Sequence, residues 1–91
     1  MTKRRDKITI INDMLIAIMN KGGTIKPTHL LYKSNLSHKR MAPLIEELSQ
    51  RGLMGTTLIK NNKKMHIITD EGRRFVAEFK RMREFVGSFG F

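Results

Sequence analysis

Two short groups of basic and polar side chains are the residues of this chain best suited to chemistry, and that chemistry is anion binding. The first group is Ser37, His38, Lys39 and Arg40, and the second is Lys60, Asn61, Asn62, Lys63 and Lys64. Neither group contains an acid, and Lys33 lies just before the first. Lysine and arginine donate charge-assisted hydrogen bonds to phosphate oxygens. These residues are therefore the candidate contacts with a polyanion.

The distribution of charge along the chain points to the same partner. The 91 residues include 18 Lys or Arg against 8 Asp or Glu, a formal net charge of +10. Between Asp13 and Asp70 the only acids are Glu46 and Glu47, whereas nine Lys or Arg occur in that interval. Such segregation predicts a polyanionic partner. The alternative is a basic surface that serves only solubility.

No set of residues in the sequence predicts catalysis or metal binding. The chain has no cysteine, which excludes disulfides and cysteine-based zinc sites, and its three histidines lack the spacing of metal ligands. The pair Gly22-Gly23 stands alone and does not make a phosphate-binding loop. We therefore expect a protein that is not an enzyme, with no catalytic residues, no metal, no cofactor and no evident small-molecule effector.

The length and hydropathy of the chain predict one small domain. Apolar residues make up 40% of the sequence, enough for one modest core. No apolar run approaches the roughly 20 residues that cross a bilayer, and the charged start MTKRRDK does not resemble a signal peptide. We expect a cytoplasmic, nucleoid-associated protein without membrane contacts. Dimerisation would help a domain of this size, because small cores are marginally stable.

The first basic group must be positioned by a pair of helices, predicted at 28–33 and 37–51. Ser37 is a suitable N-cap, because its hydroxyl can accept from a free backbone N–H. Gly52 is a natural stop beyond the second helix. The apolar side of that helix is formed by residues at helical spacing, Met41, Leu44, Ile45 and Leu48. Two helices joined by a short turn form a helix-turn-helix, whose second helix can enter the DNA major groove.

Pro43 disagrees with a regular second helix. Proline has no N–H to bond to the carbonyl of Lys39, and it normally kinks a helix interior. We expect a distorted or 3₁₀-like first turn. The alternative is a helix that begins near Met41 and leaves 38–40 in an extended turn.

The second basic group is predicted to be the tip of a β-hairpin, with strands at 53–59 and 64–68. Asn61 and Asn62 lie between the strands, and asparagine tolerates the positive φ of tight turns. A basic hairpin after a helix-turn-helix is where a wing would touch the DNA backbone. The alternative is a loop that only improves solubility.

The N-terminal third of the chain is predicted to combine a basic arm with a buried helix. Lys3, Arg4 and Arg5 belong to an arm that tracks phosphates or is a frayed terminus. The helix runs from Asp6 or Lys7 to Asn20, and it is apolar on two nearly opposite faces. Such a helix is buried on two sides. Since the domain is small, we assign Ile10 and Met14 to a dimer interface.

The segments that flank the helix pair have their own signals. Residues 24–26 are predicted as a short strand, Pro27 suits the first turn of the next helix, and Tyr32 is placed on the core side of that helix with Leu30 and Leu31. Thr69 or Asp70 caps a last helix.

That last helix carries apolar residues with the spacing of a coiled-coil seam. The seam comprises Phe75, Phe79, Met82 and Val86, flanked by Phe85. Exposed phenylalanines are unfavourable in a soluble monomer. We therefore predict a seam shared between two chains, the alternative being a helix that packs only on its own domain.

Two segments carry a likeness to a known family: LLYKSNLSHKRMAPLIEELSQRGL and, after the predicted hairpin, ITDEGRRFVAEF. With them the sequence resembles the archaeal winged helix-turn-helix family over roughly residues 4–82. The most specific parts are YKSNLS, RGL and TDEGRRF. The resemblance implies an α+β winged helix: helix, short strand, helix-turn-helix, two-stranded wing, C-terminal helix. Its members are small, basic DNA-binding proteins, some of which dimerise through a C-terminal helix. It implies DNA contact through Ser37–Arg40 and Lys60–Lys64.

Together these observations predict three parts and one leading function. The parts are a basic arm at 1–7, a winged helix-turn-helix domain at 8–68, and a C-terminal dimerisation helix at 69–91. The leading function is binding of double-stranded DNA by a homodimer, as a transcriptional regulator or nucleoid protein. Arg40 is the candidate base reader, since arginine pairs bidentately with guanine. The alternatives are an RNA-binding or ribosome-associated protein and a winged helix for protein interaction.

Overall fold

The computed structural model describes residues 5–91, so Lys3 and Arg4 of the predicted arm lie outside the described residues. The elements follow in the order α1 (Lys7–Asn20), β1 (Thr24–Ile25), α2 (Pro27–Ser34), α3 (His38–Gln50), β2 (Met54–Ile59), a 3₁₀ turn (Lys60–Asn62), β3 (Lys63–Ile68) and α4 (Asp70–Gly87). The predicted α+β winged helix is confirmed. Asp6 caps α1, accepting a 2.8 Å hydrogen bond from the backbone N–H of Thr9, and the helix spans Lys7–Asn20 as predicted.

The three strands form one antiparallel sheet in the order β1-β3-β2. Thr56 and Ile25 flank His66 on either side in the register, and Ile59 pairs with Lys63 where the hairpin closes. Because side chains alternate along a strand, Lys64 lies on the same face of β3 as His66 and Ile68. The last two are buried. Lys64 therefore projects from the core-facing side of the wing.

The hydrophobic core is built around α1. Met14, Leu15 and Ile18 have no exposed surface, and the helix contacts α2, α4, β1 and β3. The other elements contribute to the same cluster Ile25, Leu30, Leu36, Met41, Leu48, Met54 and Ile68. The core thus holds the helix pair and the wing to one central helix.

The assignment of Ile10 and Met14 to a dimer interface is wrong. Ile10 is 4% exposed and Met14 is fully buried within a single chain. The sequence correctly indicated that α1 is apolar on two faces. Its cover comes from other elements of the same chain, which pack around a central helix. Ile8, at the first turn of the helix, is 47% exposed.

The predicted seam of α4 divides into two halves. Phe79 is buried, Phe75 is half-buried against the core, and the guanidinium of Arg83 lies 5.8 Å from the centroid of the Phe79 ring. These two phenylalanines pack on their own domain, which corrects their assignment to the dimer interface. Met82, Phe85 and Val86 lie further along and are exposed.

The start of α4 is fixed against the end of the helix pair. The hydroxyl of Thr69 accepts from the backbone N–H of Gly72 at 3.0 Å and donates to the carbonyl of Gly52 at 2.6 Å. Gly72 lies directly against this joint, since a Cβ there would overlap the carbonyl oxygen of Leu53 and come within 2.8 Å of Ile68. A residue without a side chain is needed at position 72.

We expect Gly72→Ala to destabilise the protein by about 1–3 kcal/mol, because an added carbon in a packed site forces neighbouring atoms apart. The matched control is Gly87→Ala at the far end of the same helix, where no atom lies within 4 Å of the new Cβ. Thermal unfolding of both variants measures the effect. For a domain of this size each kcal/mol shifts Tm by roughly 4–8 °C. Similar Tm values for the two variants would contradict the close packing at Gly72.

Stability should also depend on the protonation of His66. Burial, with a smaller contribution from Lys64, lowers the pKa of His66 below its ordinary value of 6.5. The unfolded chain then binds protons more readily than the folded chain, so the free energy of unfolding should fall as pH decreases below about 6.5. The lowered pKa of His29, caused by desolvation and then by Lys21, acts in the same direction.

Urea unfolding between pH 7.5 and 5.5, a window given by roughly one pH unit on either side of the ordinary histidine pKa, measures this effect. The lowered pKa values of Asp6 and Glu47 start from 3.8 and 4.5, so they act below this window. We expect His66→Gln to be less sensitive to pH across it. If the free energy of unfolding of the variant changes with pH as steeply as that of the wild type, His66 is not a source of the pH dependence.

Candidate nucleic-acid interface

The turn between α2 and α3 sets the position of the first basic group. Asn35 adopts the left-handed conformation with φ of 54°, and its backbone N–H reaches the carbonyl of Tyr32 at 3.2 Å. Leu36 follows and is buried in the core. The turn is therefore tied down by one apolar residue, and α3 begins at a defined place on the surface.

Ser37 caps α3 as predicted. Its side-chain oxygen accepts from the backbone N–H of Arg40 at 3.2 Å. Its carbonyl accepts from Arg40 at 3.1 Å and from Met41 at 3.0 Å. The bond from Met41 is the regular α-helical one, and the additional bond from Arg40 is of the shared kind common at helix ends, so the expected 3₁₀-like first turn is not observed. The helix runs from His38 through Pro43, and the alternative start near Met41 is wrong.

The cations of both basic groups are exposed and have no acidic partner within residues 5–91. The set is Lys33, Lys39, Arg40, Lys60, Lys63 and Lys64. In contrast, Glu47 is neutralised within the fold, with its carboxylate 2.9 Å from Lys7 and 3.0 Å from Arg51. The hydrogen bonds from Lys7 and Arg51 lower the pKa of Glu47. The acid is compensated locally, and the basic groups keep their positive charge.

The tip of the wing is a tight turn in which both asparagines adopt positive φ. Asn61 and Asn62 have φ of 64° and 58°. The strand that follows begins at Lys63, so Lys63 and Lys64 lie on opposite faces of the hairpin. Of these two lysines, Lys64 is the one on the face directed towards α3.

A cleft of about 330 Å³ lies between α2, the N-terminal half of α3, and β3. His38 and Ala42 line it from α3, and Lys64 and His66 line it from β3. The structure thus brings one member of the first basic group, His38, to the same cleft as Lys64 of the wing. The imidazole Nδ1 of His66 lies 3.0 Å from the hydroxyl of Thr56, which fixes the ring on the cleft wall.

Arg40 lies on the other flank of α3. Together with Pro43 it lines a second depression, of about 270 Å³, that also contains Arg5 and Lys7. The predicted group Ser37–Arg40 is therefore divided, with His38 towards the wing and Arg40 towards the N-terminal segment. The exposed Lys39 lies between them along the helix.

Arg5 is engaged inside the fold and does not extend as part of a free arm. Its guanidinium lies 2.7 Å from the carboxylate of Asp13 and donates to the carbonyl of Ser34 at 2.8 Å. These bonds join the segment before α1 to the C-terminal end of α2. The sequence could not indicate this role, because the two partners lie 8 and 29 residues away.

Two side chains near the interface differ from the sequence prediction. Tyr32 was placed on the core side of α2, but it is 81% exposed beside Lys33. Leu30 is the buried apolar residue of this helix, and a position two residues later points to nearly the opposite face. His66 was not singled out, although alternation along β3 would have placed it with Ile68.

The described part of the chain was also compared with what a metal site or a membrane span requires. Within residues 5–91 no group of three His, Cys, Asp or Glu side chains could hold a metal ion. None of the helices described there is long and apolar enough to cross a bilayer.

Solved structures share this fold. Sso10a-2, a DNA-binding protein from Sulfolobus solfataricus, matches with a TM-score of 0.75 and 20% identity over 94% of this chain and 90% of its own. A putative transcriptional regulator from Pseudomonas aeruginosa PA01 gives 0.75 and 23%, over 96% of this chain and 61% of that one. BpsR from Bordetella bronchiseptica, whose DNA binding is regulated by 6-hydroxynicotinic acid, gives 0.73 and 18%, over 87% and 61%.

The chain thus spans about three fifths of the length of the last two structures. No protein with a curated description has a matching sequence. At these identities the structural likeness shows the fold alone. The family model described as winged helix-turn-helix matches residues 4–86, which is nearly the whole chain. The resemblance inferred from the sequence is thereby confirmed, and the chain belongs to the winged helix-turn-helix family.

Proposed function

We propose that this protein binds double-stranded DNA as a homodimer, with the N-terminal half of α3 in the major groove and the wing on the flanking backbone. The observation that carries the proposal is the set of exposed cations on α3 and the wing, which have no acidic partner within residues 5–91. The proposed role is that of a transcriptional regulator or a nucleoid-associated protein. The family and the DNA-binding relatives described above support it.

Phosphate contacts supply most of the affinity in this proposal. Lys33, Lys39 and the wing lysines neutralise backbone charge and release counterions, so binding weakens as salt increases. The compensated Glu47 avoids repulsion of phosphates near α3. A winged helix that serves only protein interaction would bind DNA weakly and with little dependence on salt.

Arg40 is proposed to read a base edge. It is exposed on the first turn of α3, and its guanidinium has no acidic partner within residues 5–91. The first turn of a recognition helix is the part that contacts base edges in helix-turn-helix proteins. Arginine can donate two hydrogen bonds to O6 and N7 of guanine.

We expect Arg40→Ala to lose about 1–3 kcal/mol of discrimination at one base position. Lys63→Ala should weaken all sites similarly and reduce the slope of log K against log salt by about one. Selection from a random duplex pool identifies the preferred site. Titrations of that site and a scrambled duplex at two salt concentrations then measure both effects. Equal losses on every duplex for both variants would remove the case for Arg40 as a reader.

The dimer is proposed to form through the exposed end of α4. Met82, Phe85, Val86 and Phe89 occur at helical spacing and are 40–66% exposed. The rings of Phe85 and Phe89 pack on each other with centroids 5.2 Å apart, which makes one continuous apolar stripe. A second copy of the same stripe can cover it by two-fold symmetry. This retains Met82, Phe85 and Val86 of the predicted interface.

We expect Phe85→Glu to convert the dimer into a folded monomer, because a carboxylate buried between two helices has no partner. The matched control is Ile59→Glu, which changes an aliphatic residue that is 45% exposed on the wing. Sedimentation across a wide range of protein concentration distinguishes the species. A monomeric wild type, or a dimer that survives Phe85→Glu, would contradict this interface.

A further inference from the structure

The cleft between α3 and β3 has a chemistry that DNA binding does not require. Its floor is apolar and includes Leu31, Met41 and Ile45. Its volume of about 330 Å³ lies at the small end of the range for small-molecule sites. A phosphate is bound by hydrogen-bond donors, and the apolar side chains of this hollow offer none. The hollow therefore suits the apolar body of a small ligand.

The polar groups at this cleft are all basic or neutral. Lys64 and two imidazoles, His38 and His66, line it, and no acid does. His66 is 5% exposed, and its bond to Thr56 holds the ring in place. Lys64 is the one lysine or arginine on the lining. Charge complementarity selects a ligand with a single anionic group.

We propose that the cleft binds a small aromatic carboxylic acid of one or two rings. The ring lies against the apolar floor, where the thioether of Met41 gives a favourable sulfur–aromatic contact. The carboxylate accepts a charge-assisted hydrogen bond from Lys64. The bound acid competes with DNA, because His38 and Lys64 belong to both sites. This last step rests on the proposed function, whereas binding of the acid does not.

The test uses 2-naphthoate as the anionic probe and 2-naphthamide as its uncharged match, titrated into the full chain without DNA. We expect saturable binding of 2-naphthoate with one site per chain. Lys64→Gln should weaken it about tenfold, equivalent to about 1.4 kcal/mol. Binding of 2-naphthamide should be weaker in the wild type and insensitive to this change.

The matched control for charge is Lys63→Gln, which removes the same charge from the opposite face of β3 and should leave both affinities unchanged. Ala42→Phe fills the cleft from the exposed side of α3 and should abolish binding of both probes. Far-UV circular dichroism verifies that each variant is folded. No saturable binding, or equal weakening by Lys63→Gln and Lys64→Gln, would overturn the site.

A second titration separates this inference from the proposed function. In the wild type, saturating 2-naphthoate should weaken duplex binding about tenfold, and in Ala42→Phe it should have no effect on whatever duplex affinity remains. Intact DNA binding without probe binding overturns the site alone. Probe binding in a protein that does not bind DNA overturns the proposed function alone. Probe and duplex that bind together without mutual effect overturn the competition.

Discussion

The burial of the middle of α1 is the constraint on which the rest of the structure depends. Met14, Leu15 and Ile18 have no contact with solvent, because the helix pair, the sheet and α4 surround them. In a chain of 91 residues this helix supplies more of the core than any other single element. α3 and the wing both join the same cluster, through Met41 and Leu48 on α3 and through Met54 and Ile68 on the strands. The spacing between α3 and the wing is therefore a property of the core.

Local signals were sufficient to predict the order of the elements. Ser37 and Thr69 cap helices where the sequence placed caps, and Asn61 and Asn62 adopt the positive φ that the hairpin needs. What covers an apolar face could not be predicted. Hydrophobic periodicity indicates that Ile10 lies on an apolar face. It does not indicate which segments pack on that face, because those segments lie far along the chain. For the same reason Phe75 and Phe79 of α4 were assigned to a dimer interface, whereas they pack on their own domain.

The composition of the candidate site was predicted better than its arrangement. The basic residues were identified from charge alone, and they are exposed. The structure adds that Arg40 and His38 lie on opposite flanks of α3, and that Lys63 and Lys64 lie on opposite faces of the wing. The cleft could not be foreseen because its lining comes from three separate segments. The role of Arg5 depends on long-range partners in the same way.

Pro43 separates the first turn of α3 from the rest of the helix. The residues after it carry Leu48, which is fully buried and holds that part to the core. The turn before it carries the exposed cations and lacks one backbone hydrogen bond, because proline has no N–H. Met41 in that same turn is 2% exposed and belongs to the core, so its side chain anchors the turn from the inner face of the helix. A single apolar side chain thus holds the exposed cations of this turn in place where the backbone lacks a hydrogen bond.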